Sequence, residues 1–176
     1  GSDNKKGAYL AVRHLIDTGR RRIAFLGDSR HPEIEQRLAG YHQALAEAGL
    51  TPDTALQVES DFSSQSGYEA TRDGLLAPGR SFDAIFTVSD AIAMGAIKLL
   101  GEKGVRVPEE VAVSGFDDIP TSAYCTPSLT TVRQNTAEGG RQLVKCLLDQ
   151  LAGKEQRSVV LDVDLIIRQS SRGESA

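Results

Sequence analysis

Two aspartates and one arginine are the side chains whose positions best suit the binding of a small polar molecule. Asp117 and Asp118 follow a short apolar run at residues 111–115, and Arg37 follows the loop after another apolar run at residues 23–26. In open parallel α/β sheets, ligands bind beyond the carboxyl ends of the strands, where these residues are predicted to lie. A guanidinium with five fixed donors, beside a carboxylate with two acceptor oxygens, can hold adjacent hydroxyls of a sugar or the edge of a base.

Three further side chains are candidates for the same edge of the sheet. Phe62 ends a predicted strand, where its ring can stack on a sugar or a base, although a lone phenylalanine is more often part of a core. Ser89 and Asp90 end another predicted strand, and Asp90 can equally be the N-cap of the following helix. Arg37 and Asp117 also have a purely structural alternative, in which the arginine pairs locally and the aspartate caps a turn.

The sequence shows no catalytic or metal-binding pattern. The three histidines share no metal-ligand spacing, and the two cysteines form no C-x-x-C motif. Cys125 has no histidine near it in sequence that could activate it as a nucleophile. There is no phosphate loop of the G-x-x-x-x-G-K type and no G-x-S-x-G elbow. We therefore expect no cofactor, no metal and no enzymatic activity, and such cysteine usage fits a reducing compartment.

The composition predicts one principal globular lobe. The chain has 176 residues, of which 40% are hydrophobic and 25% charged, enough for one well-filled core. The net charge of −4 argues against a nucleic-acid surface, which needs clustered lysines and arginines. The basic run at residues 20–22 is the exception, and we interpret it as a solvated strand entry rather than a phosphate contact. No apolar run approaches the length of roughly 18 residues that a membrane helix needs, so no membrane partner is expected.

Short apolar runs alternate with amphipathic stretches, which predicts an α/β fold with a doubly wound, Rossmann-like parallel sheet and helices on both faces. The helices are predicted at about residues 2–18, 34–48, 66–77, 91–103 and 137–152. The strands are predicted at about residues 23–26, 55–59, 84–88, 111–115, 131–133 and 159–167. Ser2 or Asp3 is expected to cap the first helix.

The last predicted helix carries an apolar stripe that needs a partner. We expect a second copy of the chain, or a fold-back of the helix onto its own lobe, to cover this stripe. Its residues are Leu143, Val144, Leu147, Leu148 and Leu151.

Five collinear segments of the chain resemble the effector-binding core of the LacI/GalR family of bacterial transcriptional regulators. The segments are SDN at residues 2–4, RRIAFLG at 21–27, RLAGY at 37–41, DAIFTVSD at 83–90, and the stretch 107–134, which contains VPEEVAVSGFDDIP and PSLTTVRQ. The resemblance implies a type I periplasmic-binding-protein-like lobe. It assigns residues 2–129 to the C-terminal lobe of that core, residues 130–157 to a crossing strand and helix of an otherwise absent N-terminal lobe, and residues 158–176 to a return strand and tail.

The resemblance also implies roles for the candidate residues. Arg37 and Asp117 match effector-contacting positions of the family residue by residue, and an aromatic residue often occupies the position of Phe62. The position of Ser89 is commonly asparagine, so the shorter serine puts this contact in doubt. The family positions that line the cleft from the other lobe correspond to Gln134 and Thr136.

The function implied by the resemblance is that of a cytoplasmic regulator, which binds a sugar or a related polar metabolite as its effector. The family forms homodimers, here expected through residues 119–124, residues 63–67 and the fourth helix. Operator DNA would be bound only through an N-terminal helix-turn-helix absent from this chain, and Gly1 and Ser2 are interpreted as an expression scar. The alternatives are a periplasmic sugar-binding protein of a transport system, which shares the fold, and an enzyme, which no motif supports.

Overall fold

The structure, a computed structural model, describes residues 1–154 and 159–172, which contain a six-stranded sheet. Its strands are β1 Ile23–Leu26, β2 Gln57–Val58, β3 Ala84–Thr87, β4 Ala112–Asp117, β5 Thr130–Gln134 and β6 Val163–Ile166. They lie in the order β2-β1-β3-β4-β5-β6, and all neighbours are parallel except β5 and β6, which are antiparallel. The chain proceeds from β1 to β2 on one side and to β3 on the other, so the predicted doubly wound fold class is confirmed.

Helices cover both faces of the sheet. They are α1 Asn4–Asp17, α2 Pro32–Glu47, α3 Ser64–Glu69, α4 Asp90–Glu102, α5 Thr136–Leu151 and α6 Gln169–Arg172. α1 packs against α2, and Gly7 of α1 lies against the side chains of Phe116 and Val132 on one face of the sheet. α3 packs against α4, and Gly115 lies against Asp90 on the opposite face. Every residue of β1 and β3 is buried, as expected of parallel strands covered on both sides.

Two predicted elements are shorter or less regular in the structure than expected. α3 begins two residues early, because the hydroxyl of Ser63 accepts a hydrogen bond from the N–H of Ser66, and the helix continues as a π-helical turn over Ala70–Leu75. β2 keeps only two residues, because Asp53 caps a 3-10 turn over Thr54–Leu56. Both differences arise from a short polar side chain that bonds to nearby backbone.

The C-terminal part of the chain also differs from its prediction. β6 covers only part of the run predicted at residues 159–167, and α6 was not predicted. The predicted tail at residues 173–176 and the segment 155–158 lie outside the described residues. None of the helices in the described ranges is long and apolar enough to cross a bilayer.

α5 leaves the body of the domain between two strands that lie side by side. β5 is inside the sheet, with its first three residues buried, whereas none of the residues of α5, all of which are described, is buried. The apolar stripe of α5 is therefore left uncovered in the described ranges 1–154 and 159–172, where the fold-back alternative is not observed. Its side chains are between 57% and 77% exposed: Leu143, Val144, Leu147, Leu148 and Leu151. The division of the chain into lobes at residue 130 stays a prediction.

The first and last described segments of the chain meet at one edge of the domain. Ser2 forms a parallel bridge with Leu161, and the ammonium group of Lys6 lies 2.5 Å from the carboxylate of Asp162. α1, which follows directly, packs against β4, β5 and β6. Residues that are far apart in the sequence therefore contact each other at this edge of the domain.

Candidate functional site

Arg37 lies at the centre of a polar cluster at the carboxyl edge of the sheet. Its guanidinium carbon is 3.6 Å from the centroid of the Phe116 ring, a cation–π contact. Its Nε donates to Oδ1 of Asn4 at 2.8 Å, and its Nη1 donates to the backbone oxygen of Val88. Nη1 also lies 4.0 Å from Oδ1 of Asp117. Burial lowers the pKa of Arg37, and the negative charge of Asp117 opposes that shift.

Asp117 is the member of this cluster that is open to solvent, with its side chain 35% exposed. Its Oδ1 accepts a hydrogen bond from Nε2 of Gln134 at 2.6 Å, and Oε1 of Gln134 accepts one from the hydroxyl of Ser2 at 2.6 Å. Burial raises the pKa of Asp117, while Arg37 and Gln134 act against this shift. A carboxylate has about four lone-pair sites, so Asp117 keeps acceptor capacity for a ligand while the protein orients one of its oxygens.

The backbone at Asp117 and Asp118 has positive φ angles of 111° and 53°. Residues with a side chain rarely adopt such angles, and each costs on the order of 1 kcal/mol or more. Oδ2 of Asp118 accepts from Nε of Arg133 at 2.6 Å, and its Oδ1 lies 2.8 Å from Nη1 of Arg168. Burial raises the pKa of Asp118, but the bonds from the two arginines outweigh burial, so the pKa is lowered overall. The side chain of Asp118 therefore stabilises the backbone bend formed by these two residues. The side chain of Asp117 remains partly exposed at the carboxyl edge of the sheet.

Ser89 and Asp90 begin α4 beneath this edge. Ser89 is the N-cap, because its hydroxyl accepts from a backbone N–H of the first turn, so the alternative that made Asp90 the cap is wrong. Asp90 is fully buried, and its carboxylate accepts from the N–H of Ile119 and from the hydroxyls of Ser122 and Thr131. Burial raises the pKa of Asp90 to about 6 despite these bonds. The structure thus encloses Asp90 in protein and does not expose it at the edge.

Phe62 and Thr136 are the candidates at the surface. Phe62 is half-exposed, and its ring meets that of His31 edge-on, with 5.7 Å between the ring centroids. His31 immediately precedes α2, the helix that carries Arg37. Thr136 is the exposed first residue of α5. The structure therefore links Arg37 and Gln134 through Asp117, encloses Asp90 beneath the bend, and leaves Phe62 and Thr136 exposed.

Ser2 and Asn4 are members of the cluster that sequence analysis did not identify. Asn4 accepts a hydrogen bond from Arg37, and Ser2 donates one to Gln134. Asp3, between them, caps α1 as predicted, by accepting from the N–H of Lys6. A polar residue before a helix is ordinarily a helix cap. Only the family resemblance of the SDN segment could have indicated that Ser2 and Asn4 also belong to the binding cluster.

The remaining reactive residue types form no competing site in the described part of the chain. Residues 1–154 and 159–172 contain no group of three His, Cys, Asp or Glu side chains that could hold a metal. Burial raises the pKa of Cys125, which keeps it as a protonated thiol of low nucleophilicity. Its sulfur faces the carbonyl oxygens of Ser122 and Pro127.

Comparison with known proteins places the chain in a family. Residues 12–171 match the periplasmic-binding-protein-like domain family. A protein of Sanguibacter keddieii, described as a transcriptional regulator of the LacI family, has a structure that superposes with a TM-score of 0.91. It is 35% identical in sequence, and the match covers 98% of this chain and 67% of that chain. The chain belongs to the LacI family.

Other relatives of this LacI-family chain are also named as regulators. It is 36% identical over 170 residues to the HTH-type transcriptional repressor PurR of Haemophilus influenzae, a match of 93% of this chain and 50% of the repressor. The structure of a complex of the transcriptional regulator CelR with cellobiose has a TM-score of 0.89 and 38% identity, over 96% of this chain and 52% of that chain. The LacI-family chain thus spans about half the length of the curated relatives it matches. The family resemblance inferred from the five segments is confirmed, while the roles of individual site residues stay predictions.

Proposed function

We propose that this LacI-family chain is the effector-sensing domain of a transcriptional regulator, and that Arg37, Asp117 and Gln134 bind its small-molecule effector. The observation that carries the proposal is the contact between a buried arginine and a partly exposed aspartate at the carboxyl edge of a doubly wound sheet. Asn4 and Ser2 hold the arginine and the glutamine in place. A ligand would therefore meet donors and acceptors that are already oriented, which lowers the entropic cost of binding.

The charges around the site favour a neutral, hydroxyl-rich effector over an anionic one. Glu33 lies one helical turn before Arg37 and acts electrostatically on both Arg37 and Asp117. Both carboxylates compete with a ligand anion for the Arg37 guanidinium, which disfavours a phosphate or carboxylate group on the ligand. The half-exposed ring of Phe62 offers an apolar surface to a sugar face. A sugar or a related polar metabolite is the proposed class, and the relative with bound cellobiose supports it.

We further propose that the whole regulator is a cytoplasmic homodimer that reaches operator DNA through a segment outside this chain. The repressor relatives support this role, and the net charge of −4 makes this chain itself a poor surface for phosphates. The effector would act by binding one of two conformations more tightly than the other. The regulator names of the relatives favour this function over a transport protein and over an enzyme.

The effector site can be tested by calorimetric titration of this chain with glucose, ribose and cellobiose. We expect weak binding, because residues 2–129 are predicted to form one lobe of a two-lobed cleft, and a ligand held by one lobe loses roughly half of its contacts, which corresponds to several kcal/mol. Asp117→Asn should weaken that binding by about tenfold, because a charge-assisted hydrogen bond is replaced by a weaker neutral one. Asp73→Asn is the matched control, since Asp73 pairs with Arg72 beyond the end of α3 and should leave binding unchanged.

Submicromolar binding that survives Asp117→Asn would move the effector site elsewhere on the chain. If none of the three sugars binds at the highest concentration at which it dissolves, the proposal that this site takes these sugars is wrong.

Self-association offers a second test, because two exposed apolar surfaces compete as the dimer contact. Tyr124 is 87% exposed and Ile119, five residues before it, is 36% exposed, whereas Leu147 lies in the uncovered stripe of α5. If the predicted interface through residues 119–124 forms, Tyr124→Glu should weaken dimerisation by at least about tenfold in concentration-dependent light scattering, since buried tyrosines are common hot spots. Leu147→Glu is the matched comparison. An effect of Leu147→Glu alone would assign the contact to α5, and a wild-type monomer at all concentrations would contradict the dimer.

A further inference from the structure

Asp90 is a buried carboxylate that reaches both backbone N–H groups that follow Asp117. Its Oδ2 accepts from the N–H of Ile119 at 2.9 Å. Its Oδ1 accepts from the hydroxyl of Thr131, which in turn accepts from the N–H of Asp118 at 3.4 Å. The bend that carries the proposed effector-binding aspartate is thus hydrogen-bonded to Asp90 directly at one residue and through Thr131 at the other.

This bend needs such support, because Asp117 and Asp118 both have positive φ angles. Without specific partners, residues with a side chain return to negative φ, which would redirect the carboxylate of Asp117. The sheet also leaves room for Asp90 at this point. A Cβ atom on Gly115 would lie 2.3 Å from Oδ1 of Asp90, so the glycine of β4 permits the close approach.

The same carboxylate binds a second segment. Oδ2 of Asp90 also accepts from the hydroxyl of Ser122 at 2.6 Å. Ser122 is a buried residue of the 3-10 turn Pro120–Ala123, which is followed by the highly exposed Tyr124. One buried side chain therefore joins the start of α4, the bend after β4, the 3-10 turn and β5.

We propose that Asp90 is a positioning residue of the effector site, which fixes the direction of the Asp117 carboxylate without touching the ligand. The proposal rests on the proposed function for the ligand itself, and it changes the sequence-based role of Asp90 from a contact to a support. The competing explanation is that Asp90 only stabilises the first turn of α4, where an acidic residue is generally favourable.

Two substitutions separate these explanations, Asp90→Asn and Thr131→Val. The first reduces the acceptor capacity of the buried group, and the second removes the hydroxyl that links Asp90 to the N–H of Asp118. Thr131→Ser keeps that hydroxyl and should rescue the effect of the valine. Thr71→Val is a control for lost stability alone, since the buried hydroxyl of Thr71 bonds to the carbonyl of Gly67 outside this network.

The first readout is ligand-free NMR of the full chain. In Asp90→Asn and Thr131→Val, we expect the carboxyl and Cα carbon signals of Asp117 and Asp118 to shift. In Asp90→Asn, the amide of Ile119 should exchange with solvent roughly tenfold faster, because it loses a bond to a charged acceptor. Thr131→Ser and Thr71→Val should leave the Asp117 signals in place.

The second readout is titration with cellobiose, which Asp90→Asn and Thr131→Val should weaken by about tenfold and Thr71→Val should not. If Asp117 keeps its signals in the folded variants, the positioning role is wrong, whatever cellobiose does. If Asp117 shifts as expected but wild-type protein binds no sugar, the positioning of the carboxylate is supported and the proposed effector class fails. If Asp90→Asn does not fold, the comparison of Thr131→Val with Thr131→Ser decides.

Discussion

Arg37→Ala is expected to abolish measurable effector binding and to lower the free energy of unfolding by roughly 1–3 kcal/mol for each buried acceptor that loses its donor. Arg37 is buried, so alanine leaves the Val88 carbonyl and the Asn4 side chain without a donor. It also removes the cation from the Phe116 ring and the positive charge beside Asp117. Urea denaturation measures the stability, and calorimetry with the sugar that binds wild-type protein measures the affinity.

Arg37→Lys is the informative companion to this variant. Lysine keeps the charge but lacks the planar fork of donors, so it cannot reproduce the bonds to Asn4 and Val88 together. We expect it to recover part of the stability and little of the binding. Unchanged urea stability of Arg37→Ala would show that the cluster contributes nothing to folding. Wild-type affinity in Arg37→Lys would show that charge alone matters at this site.

Gly95→Ala should lower the free energy of unfolding by about 3 kcal/mol or more, at or above the upper end of the usual cost of overpacking. Gly95 lies where α4 approaches α3, and a Cβ atom there would be 1.9 Å from the backbone oxygen of Ser64 and 2.7 Å from the backbone nitrogen of Tyr68. Because the atoms that this Cβ would meet belong to the backbone of α3, no side-chain rotation relieves the overlap, and the helices must separate. Thermal and urea unfolding measure the loss.

Gly101→Ala in the same helix is the matched control. A Cβ atom on Gly101 meets nothing within 4 Å, so the intrinsic preference of helices for alanine should act alone and stabilise the protein by about 0.5–1 kcal/mol. The two substitutions are chemically identical and should have opposite signs. If both stabilise the protein to the same extent, the helices are not in the close contact described.

Local patterns were sufficient to predict most of the fold. The apolar runs at β1 and β3 and the amphipathic stretches of α1, α2 and α4 each depend on residues close together in sequence. α6 could not be predicted in this way, because its polar residues fold onto distant partners. Ser170 donates to the carbonyl of Val113 and accepts from the N–H of Thr130, and the hydroxyl of Ser171 pairs with that of Thr130.

The proximity of Arg37 and Asp117 could be predicted from the topology of the sheet, whereas the different roles of Asp117 and Asp118 could not. The carboxyl ends of parallel strands meet at one edge, which is enough to bring Arg37 near Asp117. Nothing local distinguishes Asp117 from Asp118, since both are aspartates at a strand end. Their different roles depend on the backbone angles and on Arg168, fifty positions further along the chain. The role of Asn4 could not be predicted for a similar reason, because its hydrogen bond to Arg37 joins α1 to α2.

The meeting of the first and last segments determines when this domain is completed during synthesis. Within this domain α1 is translated before α2, with which it pairs, and well before β5 and β6, against which it also packs. The hydrogen bond of Ser2 to Gln134 and its bridge to Leu161 can form only after those residues are translated. The same holds for the ion pair of Asp118 with Arg168. Strands β1 to β4 are thus translated before Arg168, the last ionic partner of the bend at Asp117, so the proposed effector site can be completed only after most of the sheet has been made.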